Sequence, residues 1–383
     1  MASAVRMAMV GGGEGAFIGA IHRAAARLDG EIELVAGAFS SDPERARRSG
    51  AALGLPAGRV YATWRELLAG EAARAAVERA QFIAIVTPND LHLPVAEGAL
   101  QLGFHVLSDK PATRTLAEAR QLAEAVTRSG CCYALTHTYL GYPLIVEARA
   151  RVLNGELGPI RRVVVSYAQG WLATRLEGTG HKQADWRTNP ARSGPGGSVA
   201  DIGVHAFNLV EYVTGLAVTE VCADAAATVP GRALDDDMAT FLRFANGARG
   251  VLTASQVATG EENNLSIQVH GTTGGLSWSH REPNSLVLLS ADGTRSTVRA
   301  GADVIALHRE ARALCRTPAG HPEGFIEAFA NLYRAFAADV RAAESGARTM
   351  QHSPAGIGAA LRGMAFIESV LASSAAHQQW VRL

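Results

Sequence analysis

Apolar positions recur along the chain with two different patterns, and the change of pattern divides it. Val5 to Val10 is a short apolar run ending at glycines, and Ala16 to Leu28 follows with helical spacing. Glu31 to Ala38 reads as a second strand, and Ser41 or Asp42 caps a helix with Pro43 at its first position. Val60 and Tyr61 form a short third strand before a helix around Trp64 to Leu68. Phe82 to Thr87 and His105 to Lys110 are buried strands, with the helix after Pro94 between them. A helix from Leu116 to Arg128 leads into a sixth strand, "CCYALTH". Strands that are apolar throughout, each followed by a helix, predict an α/β domain with a parallel sheet covered on both faces. Ligands bind such sheets at the carboxyl ends of the strands. Gly11 to Gly13, Thr87 to Asn89 and Asp109 to Pro111 are therefore expected to converge on one crevice.

Beyond about residue 150 a period of two takes over. Ile160 to Gln169 is strand-like, and "TFLRFANGARGVLTASQ" is a hairpin turning at Asn246-Gly247. Leu265, Ile267 and Val269 alternate inward, and "GGLSW" and "SLVLLS" continue the pattern. This predicts an α+β domain with a large, mainly antiparallel open sheet. His321 and Glu323 read as the start of a helix. Ser353 and Pro354 open a long terminal helix, about 354–374, which is expected to pack back on the first domain. The expected division is 1–137 and 138–383. Residues 173–198 form a long loop rich in Gly, Ser and Arg, and long loops in compact domains are often functional.

The turn "GGGEGAFIG" follows a strand and opens a helix, the setting that a dinucleotide fingerprint requires and that defines a Rossmann domain. Gly11 and Gly13 supply the tight turn and the close backbone approach. Either Ala16 or Gly19 stands in the third position. The helix start at Ala16, Phe17 and Ile18 then aims its N–H groups at a pyrophosphate. NAD usually calls for an acidic residue about 20 positions on, yet Ser40 and Ser41 occupy that place. Asp42 caps a helix and Arg45 is close enough to meet a 2′-phosphate, so the cofactor is NAD or NADP. In "TPNDLHLP", Thr87, Pro88, Asn89 and His92 follow the fourth strand, and Asn89 can reach the ribose or the nicotinamide amide.

Asp201 and His205, four apart, project from one face of a helix. A histidine there can take a proton near neutral pH. Lys110, at the edge of the nucleotide crevice, can stabilise an oxygen that gains negative charge. Gln169, Trp171, Lys182 and Trp186 combine an aromatic face with polar groups, which suits a sugar ring. The aspartates of "ALDDDMATF" (235–237) read as a solvated approach to a strand rather than a metal site, and no metal is expected.

These stretches together resemble the Gfo/Idh/MocA oxidoreductases, the family of glucose-fructose oxidoreductase and inositol dehydrogenase. The resemblance lies in the glycine turn running into "GAIH", in "TPNDLH", "SDKPAT" and "ADWRTNPARSGPGGSVADIGVHAFN", and in the NG hairpin domain. It implies that the family's E-K-P motif falls on Asp109-Lys110-Pro111, with Asp in place of Glu, and its D-x-x-x-H on Asp201 and His205. It also implies that His205 takes the hydroxyl proton while Lys110 and Asp201 bind and polarise the substrate. The family's W-R falls on Trp186 and Arg187, which joins them to the cofactor set along with Asp109. Where relatives often carry an Arg, this chain has "THTYLGYP", so His137, Tyr139 or Tyr142 lines the pocket instead. The implied substrates are cyclitols, pyranose sugars or related polyols. The implied assembly is a homodimer or homotetramer through the sheet of the second domain.

Composition narrows the picture further. Lys plus Arg equals Asp plus Glu at 36 each, which leaves no electrostatic footprint for nucleic acid. Cys131, Cys132, Cys222 and Cys315 form no C-x-x-C pair and read as free thiols in a reduced compartment. With no signal-peptide layout and no apolar run of membrane length, the expected location is cytoplasmic. Three functions compete: a sugar or polyol dehydrogenase, a glycoside lyase or hydrolase working through tightly held NAD, and a nucleotide-sensing regulator without catalysis.

Overall fold

Five of the six apolar segments pair in parallel. In the computed structural model, which describes residues 3–346 and 353–383, these are β1 (Val5–Gly11), β2 (Ile32–Ala38), β3 (Phe82–Val86), β4 (His105–Ser108) and β5 (Tyr133–Leu135). Their order is β2-β1-β3-β4-β5. The intervening helices are α1 (Phe17–Leu28), α2 (Pro43–Ala52), α3 (Trp64–Ala72), α4 (His92–Gln101) and α5 (Leu116–Ser129). Every β3 side chain is buried, which is why these strands show no alternation. Val60–Tyr61 corrects the expected third strand: only a single bridge joins Val60 to Gly37. A 3₁₀ turn ends at Arg59 and α3 starts at Trp64, so no length remains for a ladder. The Asp42 carboxylate caps α2 by accepting from Arg45 N at 3.1 Å, with Pro43 in the first turn.

The second unit begins with α6 (Pro143–Leu153), β6 (Arg162–Ala168) and the short helices α7 (Lys182–Arg187) and α8 (Pro190–Ser193). A π-helical turn, Val199–Gly203, then runs directly into α9 (Val204–Thr214). The strands β7 (Val218–Ala226), β8 (Asp237–Phe244), β9 (Arg249–Ser255), β10 (Asn264–His270), β11 (Gly274–Ser279), β12 (Ser285–Ser290) and β13 (Arg295–Arg299) follow, and then α10 (Arg309–Arg312). The sheet has nine strands in the order β13-β12-β11-β10-β6-β9-β8-β7-β14, where β14 is the two-residue strand Val381–Arg382. All neighbours are antiparallel except β6 and β9. Strict alternation of burial along β6, β8 and β9 marks one covered face, on which α9 packs. The opposite face is open and carries Phe241 at 59% exposure.

The last third of the chain corrects the expected division. Helix α11 (Phe325–Glu344) belongs to the first unit, which comprises Met1–Thr138 and Phe325–Leu361. Its stripe Phe329, Tyr333, Phe336 and Val340 joins Val5, Met7, Met9 and Phe82 in one core. The second unit comprises Tyr139–Gly324 and Arg362–Leu383. The terminal helix α12 (Ile357–Ala375), expected to return to the first domain, does so only through Leu361; from Arg362 on it belongs to the second unit, where Phe366 stacks on Phe207 of α9 at 4.4 Å. Ser353 does not cap it: its N–H and hydroxyl both donate to Asp339 Oδ2. Among the described residues the four cysteines are free, and no helix is long and apolar enough to cross a membrane.

Candidate active site

The glycine turn is built by close approach. Gly11 and Gly12 have φ of 85° and 71°, which other residues rarely adopt. A Cβ on Gly19 would stand 2.3 Å from Gly12 Cα, so Gly19, not Ala16, provides the third close contact of the fingerprint. Ala16 is the N-cap of α1, and its N–H closes the turn on Gly13 O at 3.0 Å. The N–H groups of Gly13 and Glu14 are also used inside the unit, by Phe39 O and Ser49 Oγ. Helix physics therefore leaves the first N–H groups of α1, at Phe17 and Ile18, facing outward without intrahelical partners. No acidic side chain occupies that first turn, so an anion is favoured there. Arg23 Nη1 braces the turn from behind by donating to Gly12 O at 2.5 Å.

Thr87 Oγ1, just past β3, is buried without a hydrogen-bond partner, as a ligand-facing hydroxyl would be. Cradle, helix start and orphaned hydroxyl together fit a dinucleotide. Gly19→Ala is expected to weaken NAD binding at least about tenfold, read by calorimetric titration, because the intruding methyl meets backbone rather than a movable side chain. Unchanged affinity would refute the cradle.

Around β4 and β5 a second polar group forms. Asp109 N bonds Ile85 O at 2.9 Å, which sets the residue directly past β4, alongside the end of β3. Its Oδ1 accepts from Lys110 N at 2.8 Å and Thr136 Oγ1 at 3.2 Å, and the Lys110-Pro111 peptide is cis. The shorter Asp thus binds its own loop. His137 lies buried beside this pair. Burial, then the Lys110 charge, depress it to about 3 against the pull of Asp109, which keeps the imidazole neutral.

His92, expected at the cofactor, is fully buried, and its ring nitrogens meet Pro111 O at 2.7 Å and Thr87 O at 3.0 Å. It staples two turns together rather than offering a nitrogen to a ligand. Pro88 starts the 3₁₀ turn that holds Asn89, which is buried. Ser40 Oγ accepts from Asp42 N at 3.1 Å, and Ser41 and Arg45 flank the start of α2. Phe17 is 68% exposed.

In the second unit the π-helical turn carries Asp201, and His205 lies in the first turn of α9. The expected single α-helix is therefore two joined helical forms; π turns of this kind are frequent at functional sites. Asp201 Oδ2 meets Gln256 Nε2 at 2.8 Å and Arg187 Nε at 3.3 Å. Arg187, grouped in sequence with the cofactor, thus reaches Asp201, while its guanidinium also lies over the Trp186 ring at 4.2 Å.

The His205 ring is edge-on to Tyr139 at 5.2 Å and tilted against Tyr167 at 6.3 Å. The Tyr139 and Tyr167 hydroxyls are hydrogen-bonded to each other. Asn263 Nδ2 donates to Tyr139 at 3.1 Å, and Asn263 Oδ1 accepts from Tyr167 and from Gln169 Nε2, both at 2.7 Å. Trp171 Nε1 donates to Gln169 Oε1 at 3.0 Å. Burial pushes the Tyr139 hydroxyl up to about 12, although the bonds from Tyr167 and Asn263 oppose it. Tyr142 binds His280 Nε2 at 2.9 Å.

Asp201, His205, Tyr139, Gln169, Trp171 and Arg187 therefore belong to one connected set in this unit. Lys182 is exposed at the start of α7, outside that hydrogen-bonded set as described. Gln256, Asn263, Tyr167 and His280 escaped the sequence reading: neutral polar residues at strand ends and in loops carry no periodic or charge signal. The expected solvated approach at 235–237 is also corrected, since Asp235 and Asp236 are buried. Burial raises Asp236, but hydrogen bonds from Thr228 and Val229, with Arg232, hold it below its usual range. No group of potential metal ligands occurs among the described residues.

A glycine cradle on a parallel sheet, followed in the chain by a histidine and a carboxylate on a helix that covers a second, open sheet, fits an NAD-binding oxidoreductase. Residues 5–137 match the "Oxidoreductase family, NAD-binding Rossmann fold" model, and residues 145–277 match the "GFO/IDH/MocA C-terminal domain" model. The chain belongs to the Gfo/Idh/MocA family. It is 30% identical over 383 residues to YfiI, an uncharacterized oxidoreductase of Bacillus subtilis, covering 98% of this chain and 96% of that one. An inositol dehydrogenase homolog of Azotobacter vinelandii, solved with NADH and myo-inositol, matches with a TM-score of 0.92 and 33% identity, covering 100% of this chain and 98% of that one. The levoglucosan dehydrogenase of Pseudarthrobacter phenanthrenivorans is 29% identical over 224 residues, covering 53% of this chain and 56% of that one.

Proposed function

We propose that the enzyme oxidises a secondary alcohol of a cyclitol, pyranose sugar or related polyol, with NAD preferred to NADP. The observation that carries this reading is the wall of hydroxyl and amide groups beside Asp201 and His205, suited to a ring bearing many hydroxyls. Myo-inositol and levoglucosan, named for two of the relatives, are rings of that kind. His205 accepts the proton of the reacting hydroxyl. Asp201 holds a neighbouring hydroxyl, and the role proposed for Lys110 is to donate to an oxygen that gains negative charge. When bound, NAD supplies the hydride acceptor. The preference for NAD is supported by the NAD-binding family model and the NADH-bound homolog; past β2 the charges are mixed, Glu14 Oε2 pairing with Arg48 Nη2 at 3.2 Å.

The open sheet face around Phe241 is assigned to a second copy, giving a homodimer or homotetramer. The test incubates purified protein, its mass checked by light scattering, with NAD or NADP and a panel of inositols, pyranoses and anhydrosugars. The expected result is a rise in reduced-nicotinamide absorbance with one ring polyol, larger with NAD. Cleavage of a glycoside without net NADH would replace this reading with the lyase. Nucleotide binding without turnover on any substrate would replace it with a sensor.

A further inference from the structure

The hydrogen bonds around Asp201 do more than hold one carboxylate. A carboxylate only accepts, so Gln256 must turn its NH₂ toward Asp201 Oδ2, as it does at 2.8 Å. The same Nε2 points its second hydrogen at Gln169 Oε1, 3.5 Å away. With its oxygen engaged by Gln256 and Trp171, Gln169 presents Nε2 to Asn263 Oδ1 at 2.7 Å. Asn263 in turn presents Nδ2 to the Tyr139 hydroxyl at 3.1 Å. That leaves Tyr139 to donate to Tyr167, and Tyr167 to donate back to Asn263 Oδ1. Each amide in the chain has one orientation: the Asp201 carboxylate sets that of Gln256, and the Trp171 indole N–H, which can only donate, sets that of Gln169 and through it Asn263.

We propose that Gln256 is a positioning residue that fixes the Asp201 carboxylate and ties it to the Trp171-ordered amides of Gln169 and Asn263, which end at the hydroxyl of Tyr139 beside His205. The proposal rests on the reading of Asp201 as a substrate-binding group. The backbone of Gln256 does not need the side chain to stay in place. Its N–H bonds Asp236 O at 2.8 Å, and its carbonyl accepts from Leu172 N at 3.1 Å. The side chain is buried, so water does not replace its amide at no cost.

The experiment compares Gln256→Met, which keeps length and bulk but loses the donor, with Gln256→Glu, which sets a second acceptor against Asp201. Wild type and Asp201→Asn serve as controls. Both Gln256 variants are expected to keep the wild-type KM for NAD, Gln256→Met with a melting temperature near wild type and Gln256→Glu with a lower one, because it buries a second carboxylate. KM for the polyol is expected to rise about tenfold in Gln256→Met and further in Gln256→Glu, with kcat changed less. Crystal structures are expected to show the Asp201 carboxylate rotated in Gln256→Met and pushed away from position 256 in Gln256→Glu, with Gln169 held in place by Trp171 in both. Wild-type polyol KM in both variants, with Asp201→Asn impaired, would overturn the proposal. Equal rises in both KM values with a lowered melting temperature would also overturn it, as a merely structural role. If wild type turns over no polyol, the functional reading fails. The crystal structures still decide the positioning role, since an unmoved Asp201 refutes it.

Discussion

Replacement of His205 by alanine is expected to lower kcat on the polyol by about 10²–10⁴-fold, the usual worth of a positioned general base. The protein should remain folded and bind NAD as before. His205 sits at the start of α9, and its ring rests against Tyr139 and Tyr167 rather than forming part of the deeper core. Its removal therefore takes away a proton acceptor while the tyrosine pair keeps its own bonds to Asn263. Steady-state kinetics with saturating NAD, an NAD titration and a circular dichroism spectrum check the three parts. Turnover within a few-fold of wild type would remove His205 from the chemistry. A matching loss of NAD affinity would indicate a structural defect instead.

Asp235→Ala is expected to cost about 3–5 kcal/mol of stability, because three donors lose one buried acceptor. Asp235 Oδ1 accepts from Gly197 N at 2.6 Å. Its Oδ2 accepts from Ser198 Oγ at 2.7 Å and Val199 N at 2.8 Å. Burial pushes the Asp235 carboxyl up, and these bonds pull against it. The three donors stand at the mouth of the π-helical turn that carries Asp201, so the variant should lose activity even where it stays folded. Asp235→Asn should fall between the two proteins: its oxygen satisfies one side, but its NH₂ faces an N–H. Urea unfolding followed by tryptophan fluorescence measures the loss. A change below about 1 kcal/mol would mean that water or a backbone shift replaces the carboxylate.

The parts legible in the sequence were those with a period or a fixed motif. β1 to β5 are short apolar runs between helix signals, and the NG hairpin and the alternation of Leu265, Ile267 and Val269 mark the second sheet. Val60–Tyr61 misled because two apolar residues after a turn resemble a strand. Helix α11 was read only at its approach, His321 and Glu323. Its apolar stripe names no partner until the fold brings Phe329 and Tyr333 to β1 and β3. At the site, Asp201 and His205 were visible from their spacing, whereas Gln256 and Asn263 needed coordinates. An amide's value lies in which atom it turns toward which neighbour, and that is a property of three-dimensional placement. Asp235 and Asp236 looked solvated for the converse reason: adjacent charges suggest water, but here main-chain N–H groups, a serine and an arginine satisfy them.

The position of α11 bears on how the protein comes into being. His22 of α1 bonds Tyr333 of α11 at 2.8 Å, and burial holds this histidine at about 4, as a neutral ring in the core. A ribosome releases residues 139–324 before it releases that helix. Until then the nascent nucleotide-binding unit lacks the stripe that covers Met7, Met9 and Phe82. The part of the enzyme that is translated first is thus sealed nearly last, and a chain stopped short of Val340 would leave the polypeptide with an uncovered apolar face.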